Sequence, residues 1–333
     1  MAGSSKNKKV WLAAHLYYSG NSDFFIIKAI APFIQQVLKS KKVKHYFFIR
    51  YWERGPHIRI RFKGNSDVLI NEIKPFIIDF FQKYYDQYPS KRQDPEWVKD
   101  LPENEKWFPN NSIQFVEYEP EVERYGGIKA IAIAEEQFQA SSAAIIKKMM
   151  RTPDFDYNTS LGMAIKLHLL FAKAMNMNIN EMKLFFTAIA YHWFDKAYPH
   201  NIHKLSAEQK EELTKKIKDA FKNTFEASKT GLINLHRNIL SALEAEDSFS
   251  ESELNVWYKK NKKIAEKLEA NKLLPGASGY HNYYAKMVGI STEKSILWMI
   301  LESYVHMTNN RLGILNRDEA YLGYLIKESL ANI

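Results

Sequence analysis

Residues 45–62 read His45-Tyr46-Phe47-Phe48-Ile49-Arg50-Tyr51-Trp52-Glu53-Arg54-Gly55-Pro56-His57-Ile58-Arg59-Ile60-Arg61-Phe62. Two runs rich in aromatic and β-branched residues, His45–Trp52 and His57–Lys63, flank Glu53-Arg54-Gly55-Pro56. Glycine and proline are turn residues, so the stretch reads as a β-hairpin. Successive strand residues face opposite sides. Ile58, Ile60 and Phe62 then face a core, and His57, Arg59 and Arg61 face the other way together. The two guanidinium groups stand two residue rises apart, roughly 7 Å. A guanidinium is always charged, and its planar fork matches carboxylate or phosphate. Alternation alone also puts polar residues on a solvated face. By itself the strand therefore implies only an anion-facing surface.

Working outward, Val10–Ser19 reads as a strand and Asp23–Lys41 as a helix, with Phe24, Ile27, Ala31, Ile34, Val37 and Leu38 at helical spacing despite Pro32. Val68–Tyr88 is again helical. Ser90–Asn111 is a long polar loop, and Ile113–Glu119 alternates as a strand. This β-α-β-β-α-β order resembles a ferredoxin-like split unit, a fold that hosts many functions. Beyond Gly127 the pattern predicts eight amphipathic helices, near 128–151, 160–176, 180–197, 206–229, 231–247, 252–273 and 291–314, with a last one from about 317. Pro153-Asp154 and Pro275-Gly276 are turn pairs, and Ser206 with Gln209 is a capping box. The expected class is α+β: an N-terminal ferredoxin-like mixed β/α unit (1–127) carrying the arginine strand, followed by a mainly helical region (128–333). The two are expected to work as one compact functional unit.

With 333 residues, 46% of them hydrophobic, the chain can bury a large core, which excludes global disorder. It has no run of about 18 uncharged apolar residues, and the lysines of Met1–Val10 are not followed by the apolar core of a signal peptide. A cytoplasmic protein without a membrane span is expected. The absence of cysteine excludes disulfides, thiolate metal sites and cysteine nucleophiles. A net charge of +9 favours an acidic partner such as nucleic acid, an acidic peptide or a carboxylate substrate, and a lysine-rich composition accounts for it equally well.

Two further segments could carry chemistry. Tyr118-Glu119-Pro120-Glu121-Val122-Glu123-Arg124-Tyr125-Gly126-Gly127 ends a strand and opens a helix. Its glycines permit close backbone approach or unusual dihedrals, and a helix N-terminus favours an anion. The plainer reading is a charged turn with capping acids. Ser303-Tyr304-Val305-His306-Met307-Thr308-Asn309-Asn310-Arg311-Leu312 lies on an apolar helix, where His306 and Asn310, four apart, share a face. Histidine is the usual general acid or base near neutrality, although a lone one is commonly a satisfied core residue. His192, among Tyr191, Trp193 and Phe194, reads as packing or interface. His200 and His203 lack an acidic partner at ligand spacing. There is no Walker loop, dinucleotide fingerprint or nucleophile elbow.

Together, F-F-I-R-Y…P-H-I-R-I-R-F, the Y-E-x-E-x-E-R-Y-G-G turn and the H-M-x-x-N-R-L helix resemble the elimination domain of class I lanthipeptide dehydratases, also called the thiopeptide-type bacteriocin biosynthesis domain. The resemblance runs from Trp11-Leu12 to the final helix. It implies a lyase that expels glutamate from glutamylated Ser or Thr of a ribosomal precursor peptide, leaving dehydroalanine or dehydrobutyrine. It places the functional residues on Arg59, Arg61, Arg124, Glu121 and His306, with Arg50, His57, Tyr125, Asn310 and Arg311 as candidate substrate-binding residues. The implied partners are the glutamylated peptide, a separate glutamylation protein and a possible cyclase, with no cofactor and no metal. Arginines suit a departing carboxylate, and His306 suits proton transfer in either direction.

The related pyridine synthases, which join two dehydroalanines in a formal [4+2] cyclisation, are one alternative. A non-catalytic precursor-docking protein is another. The complete arginine, glutamate and histidine set favours elimination, because a cyclase needs no glutamate pocket. Direct tRNA binding is disfavoured, since no basic stripe with interleaved aromatics is present.

Overall fold

The computed structural model describes residues 9–199, 201–276 and 279–333. His200 and the first eight residues lie outside it. Contacts divide the chain into two units: residues 1–120 with 141–155, and residues 121–140 with 156–333. The boundary therefore passes through one long helix.

The first unit holds a four-stranded antiparallel sheet of β1 (Lys9–Tyr17), β2 (His45–Tyr51), β3 (His57–Asn65) and β4 (Ser112–Phe115), in the order β2-β3-β1-β4. This is the ferredoxin-like order the element pattern suggested. Ile58, Ile60 and Phe62 are at most 3% exposed. They belong to the apolar face, where Phe33 of α2 (Ala31–Lys39) meets Phe62 and Phe81 of α4 (Lys74–Gln87). Burying each such ring stabilises by about 1.5–3 kcal/mol.

Both helical stretches of this unit contain a proline and solve it the same way. A short α1 (Ser22–Phe25) runs through a π-helical segment, Ile26–Ile30, into α2, whose second residue is Pro32. Likewise α3 (Ser66–Val68) runs through Leu69–Ile73 into α4, whose second residue is Pro75. Proline lacks an N–H and clashes with the carbonyl four residues back. Widening the preceding turn to i→i+5 bonds, Ala31 N–H to Ile26 and Lys74 N–H to Leu69, lets the helix continue.

β4 is shorter than the Ile113–Glu119 alternation suggests. Tyr118 leaves the edge to pack against Trp11 and Phe47, and Pro120 cannot donate to a ladder. At the opposite edge, the Phe48 N–H of β2 donates to Ser142 Oγ of α5 (Ile128–Arg151), whose second half belongs to this unit.

The second unit contains the first half of α5, then α6 (Tyr157–Ala174), α7 (Ile179–His192), α8 (Ala207–Glu244), α9 (Ser252–Glu269), α10 (Tyr280–Val288), α11 (Thr292–Leu312) and α12 (Asn316–Ala331). The Ser206–Gln209 capping box opens α8 as expected. The break expected near residue 230 is absent, and α8 runs 38 residues through Gly231. A glycine inside a helix costs only about 1 kcal/mol relative to alanine, which the flanking turns offset. The short α10 was not foreseen. No described helix is long and apolar enough to cross a membrane.

Candidate functional site

The second unit encloses a cavity of about 530 Å³ whose polar wall includes Arg124, His192, Trp193, Glu302, Ser303 and His306. Helix α11 supplies three of these. Glu302 and His306 are one turn apart on one face, with Ser303 beside them. His306 Nδ1 lies 2.7 Å from Glu319 Oε1 of α12, and its ring stacks on Trp193 with centroids 4.6 Å apart. Glu319 is 1% exposed. Its other oxygen accepts from Asn309 Nδ2 at 3.1 Å, and Asn309 Oδ1 accepts from His168 Nε2 at 2.7 Å.

The donors and acceptors in this chain have one consistent direction. His168 donates to Asn309, and Asn309 and His306 donate to the carboxylate. With Nδ1–H committed to Glu319, Nε2 is the ring nitrogen of His306 left over. Asn309, three residues on from His306, holds the other oxygen of the carboxylate that fixes His306. Asn310 is outside the cavity lining.

Arg124 enters from the 121–127 turn. Its Nε donates to Ser303 Oγ (3.2 Å) and its Nη1 to Glu121 Oε2 (3.1 Å). Glu121 therefore braces Arg124 from outside, and Glu123 lines the cavity. The turn needs both glycines. Gly126 and Gly127 have φ of +84° and +106°, and a Cβ on Gly126 would sit 2.7 Å from Ile300 Cδ1. Tyr125 and Arg311 are 3% and 0% exposed. Tyr125 stacks on Tyr304, and Arg311 donates to the Met307 carbonyl and lies over Phe138. Both are packed into the unit and neither lines the cavity.

Beside Glu302, His192 Nδ1 lies 2.5 Å from Oε1, and the Trp193 indole N–H donates to the same oxygen at 3.1 Å. This carboxylate raises the His192 pKa above its ordinary value. The aromatic run around His192 had read as packing. No sequence spacing ties Glu302 or Glu319 to their histidines, because each pair joins different helices. A second cavity of about 800 Å³ shares His192 and Tyr280 with the first.

In the first unit, His57, Arg59 and Arg61 do share a sheet face with His15 and Tyr17 of β1. The Arg59 guanidinium lies 3.5 Å from the Tyr51 ring centroid, donates to His57 Nε2 and reaches exposed Glu53 at 3.2 Å. Exposed pairs of this kind are weak, so an incoming anion can displace Glu53. Arg61 lies over Tyr118 at 4.4 Å. Arg50 does not share this face. It pairs in register with Ile58 on the helix-covered side, clamped by Asp23 Oδ1 at 2.5 Å and Ser22. Its interior partners give it a structural place.

Four buried histidines, His15, His57, His168 and His236, titrate low. Burial pushes His57 and His168 down to about 4, and burial with the nearby Arg59 pushes His15 down to about 3. Their folded pKa values lie below the ordinary 6.5, so the unfolded chain binds more protons between these limits. Stability is then fully present above 6.5 and is lost as pH falls toward 4. Calorimetric melting should show Tm falling below pH 6.5, and His168→Gln should flatten that fall. A Tm unchanged between pH 7 and 5 would contradict it.

No group of three or more potential metal ligands occurs among the described residues. Fold and cavity together define an α+β protein with a carboxylate-anchored histidine in the wall of a cavity. The chain belongs to the lantibiotic biosynthesis dehydratase C-terminal family, whose profile matches residues 11–330. It is 32% identical over 142 residues to the subtilin biosynthesis protein SpaB of Bacillus subtilis, covering 42% of this chain and 12% of that protein. It is 23% identical over 321 residues to the nisin biosynthesis protein NisB of Lactococcus lactis subsp. lactis, covering 96% and 25%. The chain thus spans a quarter or less of these relatives.

Among solved structures, it is similar to TbtD, a pyridine synthase from thiomuracin biosynthesis (TM-score 0.71, 17% identity, 97% of this chain and 98% of that one). It is also similar to the tRNA-dependent lantibiotic dehydratase MibB from Microbispora sp. 107891 (TM-score 0.60, 19% identity, 100% and 29%). At these identities the likeness is one of fold.

Proposed function

We propose that the chain is the glutamate-eliminating lyase component of a lanthipeptide-type dehydratase, acting on glutamylated Ser or Thr of a ribosomal precursor peptide. The observation that carries this reading is the cavity of the second unit, where His306 is fixed on Glu319 beside Arg124 and Ser303. Elimination must remove a weakly acidic α-proton and stabilise a departing carboxylate. An imidazole with one open nitrogen suits the first task, and a guanidinium suits the second. Arg59 and Arg61 of the first unit are proposed as further residues that the elimination requires. The second cavity, with Tyr191, Phe194, Tyr198, Lys218, Lys222 and Tyr324 in its lining, offers a path for the peptide flanks. The proposed partners are the precursor peptide and a separate glutamylation protein, in the cytoplasm.

TbtD is covered over 98% of its length, which favours pyridine-forming cyclisation as a second reading. Mass spectrometry of a pre-glutamylated precursor peptide incubated with the protein separates the two. Elimination gives free glutamate and a dehydrated peptide. An authentic precursor that keeps its glutamate, while a bis-dehydroalanine peptide is cyclised, would replace this reading with the second.

A further inference from the structure

We propose that His192 and Glu302 form a second acid–base pair in the cavity, and that His192 donates a hydrogen bond to the carboxylate that leaves when the glutamyl ester is cleaved; this rests on the elimination reading above.

The wall of the cavity carries two histidines built alike. Each presents Nδ1 to its own buried carboxylate: His306 to Glu319 at 2.7 Å, His192 to Glu302 at 2.5 Å. The glutamate side chains are 1% and 6% exposed. Trp193 joins the two sets. Its ring stacks on His306, lies 5.8 Å from the His192 centroid, and its N–H braces Glu302. The two imidazoles therefore keep a fixed spacing across one indole, and each has Nε2 left over. A packing histidine needs neither a buried carboxylate nor a cavity edge, and His192 has both.

The charges around His192 favour its protonated form. Glu302 of α11 is in contact and Glu319 of α12 adds to it, while Lys196, just past α7, opposes them. Tyr280 of α10 packs on the ring at 5.4 Å and is held protonated by burial and by Glu302. Arg124, Glu123, His281 and His306 complete the titratable lining. The raised pKa of His192 agrees with this count.

The step then balances without a co-reactant. His306 Nε2 takes the α-proton, and that C–H pair becomes the Cα=Cβ bond. The Cβ–O bond breaks and its pair goes to the departing carboxylate. His192 Nε2–H stabilises that oxygen without giving up its proton, since glutamate leaves ionised at neutral pH. The His306 proton passes to water afterwards.

Imidazole-resolved NMR titration tests the pair apart from the reaction. His192 should titrate above 6.5 in the wild type, and Glu302→Gln should lower that value by about a unit or more, the scale of one close opposite charge. A wild-type value at or below 6.5, or one unmoved by Glu302→Gln, overturns the pair. With pre-glutamylated serine peptide, His192→Gln should cut kcat about 10²-fold or more, the usual cost of losing an oxyanion donor, with KM little changed. It should also abolish the fall in kcat on the alkaline side. A folded His192→Gln protein with wild-type kcat and pH profile overturns the catalytic role. If the wild type itself releases no glutamate, the elimination reading fails, and the NMR arm still decides the pair.

Discussion

Replacing His306 with glutamine should lower glutamate release by about 10²–10⁴-fold, the usual contribution of a positioned acid–base group. In free energy this is about 3–5.5 kcal/mol of transition-state stabilisation. Glutamine is the informative choice because of Glu319. That carboxylate is 1% exposed and has two side-chain donors, His306 and Asn309. His306→Ala would leave it with Asn309 alone, and an under-satisfied buried group costs about 1–3 kcal/mol. Alanine would therefore mix catalysis with stability. Glutamine keeps an amide N–H that can serve Glu319 and removes the titrating nitrogen. The expected signature is a glutamylated peptide that accumulates in mass spectra while Tm stays near the wild-type value. Arg61→Ala should accumulate the same intermediate. Unchanged turnover in both variants would show that the proposed site is misplaced.

The β3 reading survived because its signal is local. A period of two fixes which side Arg59 and Arg61 take, whatever the rest of the chain does, and the register confirms it. The same rule, once the register pairs Arg50 with Ile58, puts Arg50 on the other face. Helix spacing was less decisive. It put Asn310 on the His306 face, but Asn309 is the residue that reaches Glu319, since i+3 and i+4 are both neighbours on a helix. The acidic partners were out of reach of any pattern. Glu319 and Glu302 meet their histidines by helix packing, and His192 sits in an aromatic run that reads as core. The two stretches 206–229 and 231–247 join into one 38-residue helix, since one glycine at 231 costs only about 1 kcal/mol relative to alanine.

Those helix contacts rest on another glycine, and its substitution should have the second large effect. Gly323 of α12 faces α7 so closely that a Cβ would lie 2.9 Å from Ala190 N and 3.0 Å from Phe186 O. Both are backbone atoms, so neither can rotate away. Alanine is favoured over glycine in a helix by about 1 kcal/mol, but forcing packed helices apart costs about 1–3 kcal/mol or more. The clash is with backbone, so overpacking wins: Gly323→Ala should lose about 1–2 kcal/mol, and Gly323→Val about 3 kcal/mol or more, since its branched side chain gains little propensity and adds two methyls. An Ala variant with a higher Tm would show that α7 and α12 do not approach this closely. The functional loss should exceed the stability loss. Glu319 lies one turn before Gly323 on the same side of α12, and Ala190 lies two residues before His192 on α7. Separating the helices shifts both carboxylate–histidine pairs at once, and a misplacement of about 1 Å can cost about 10²-fold in rate. Glutamate release measured well below both unfolding transitions should therefore fall in Gly323→Ala, although the protein remains folded.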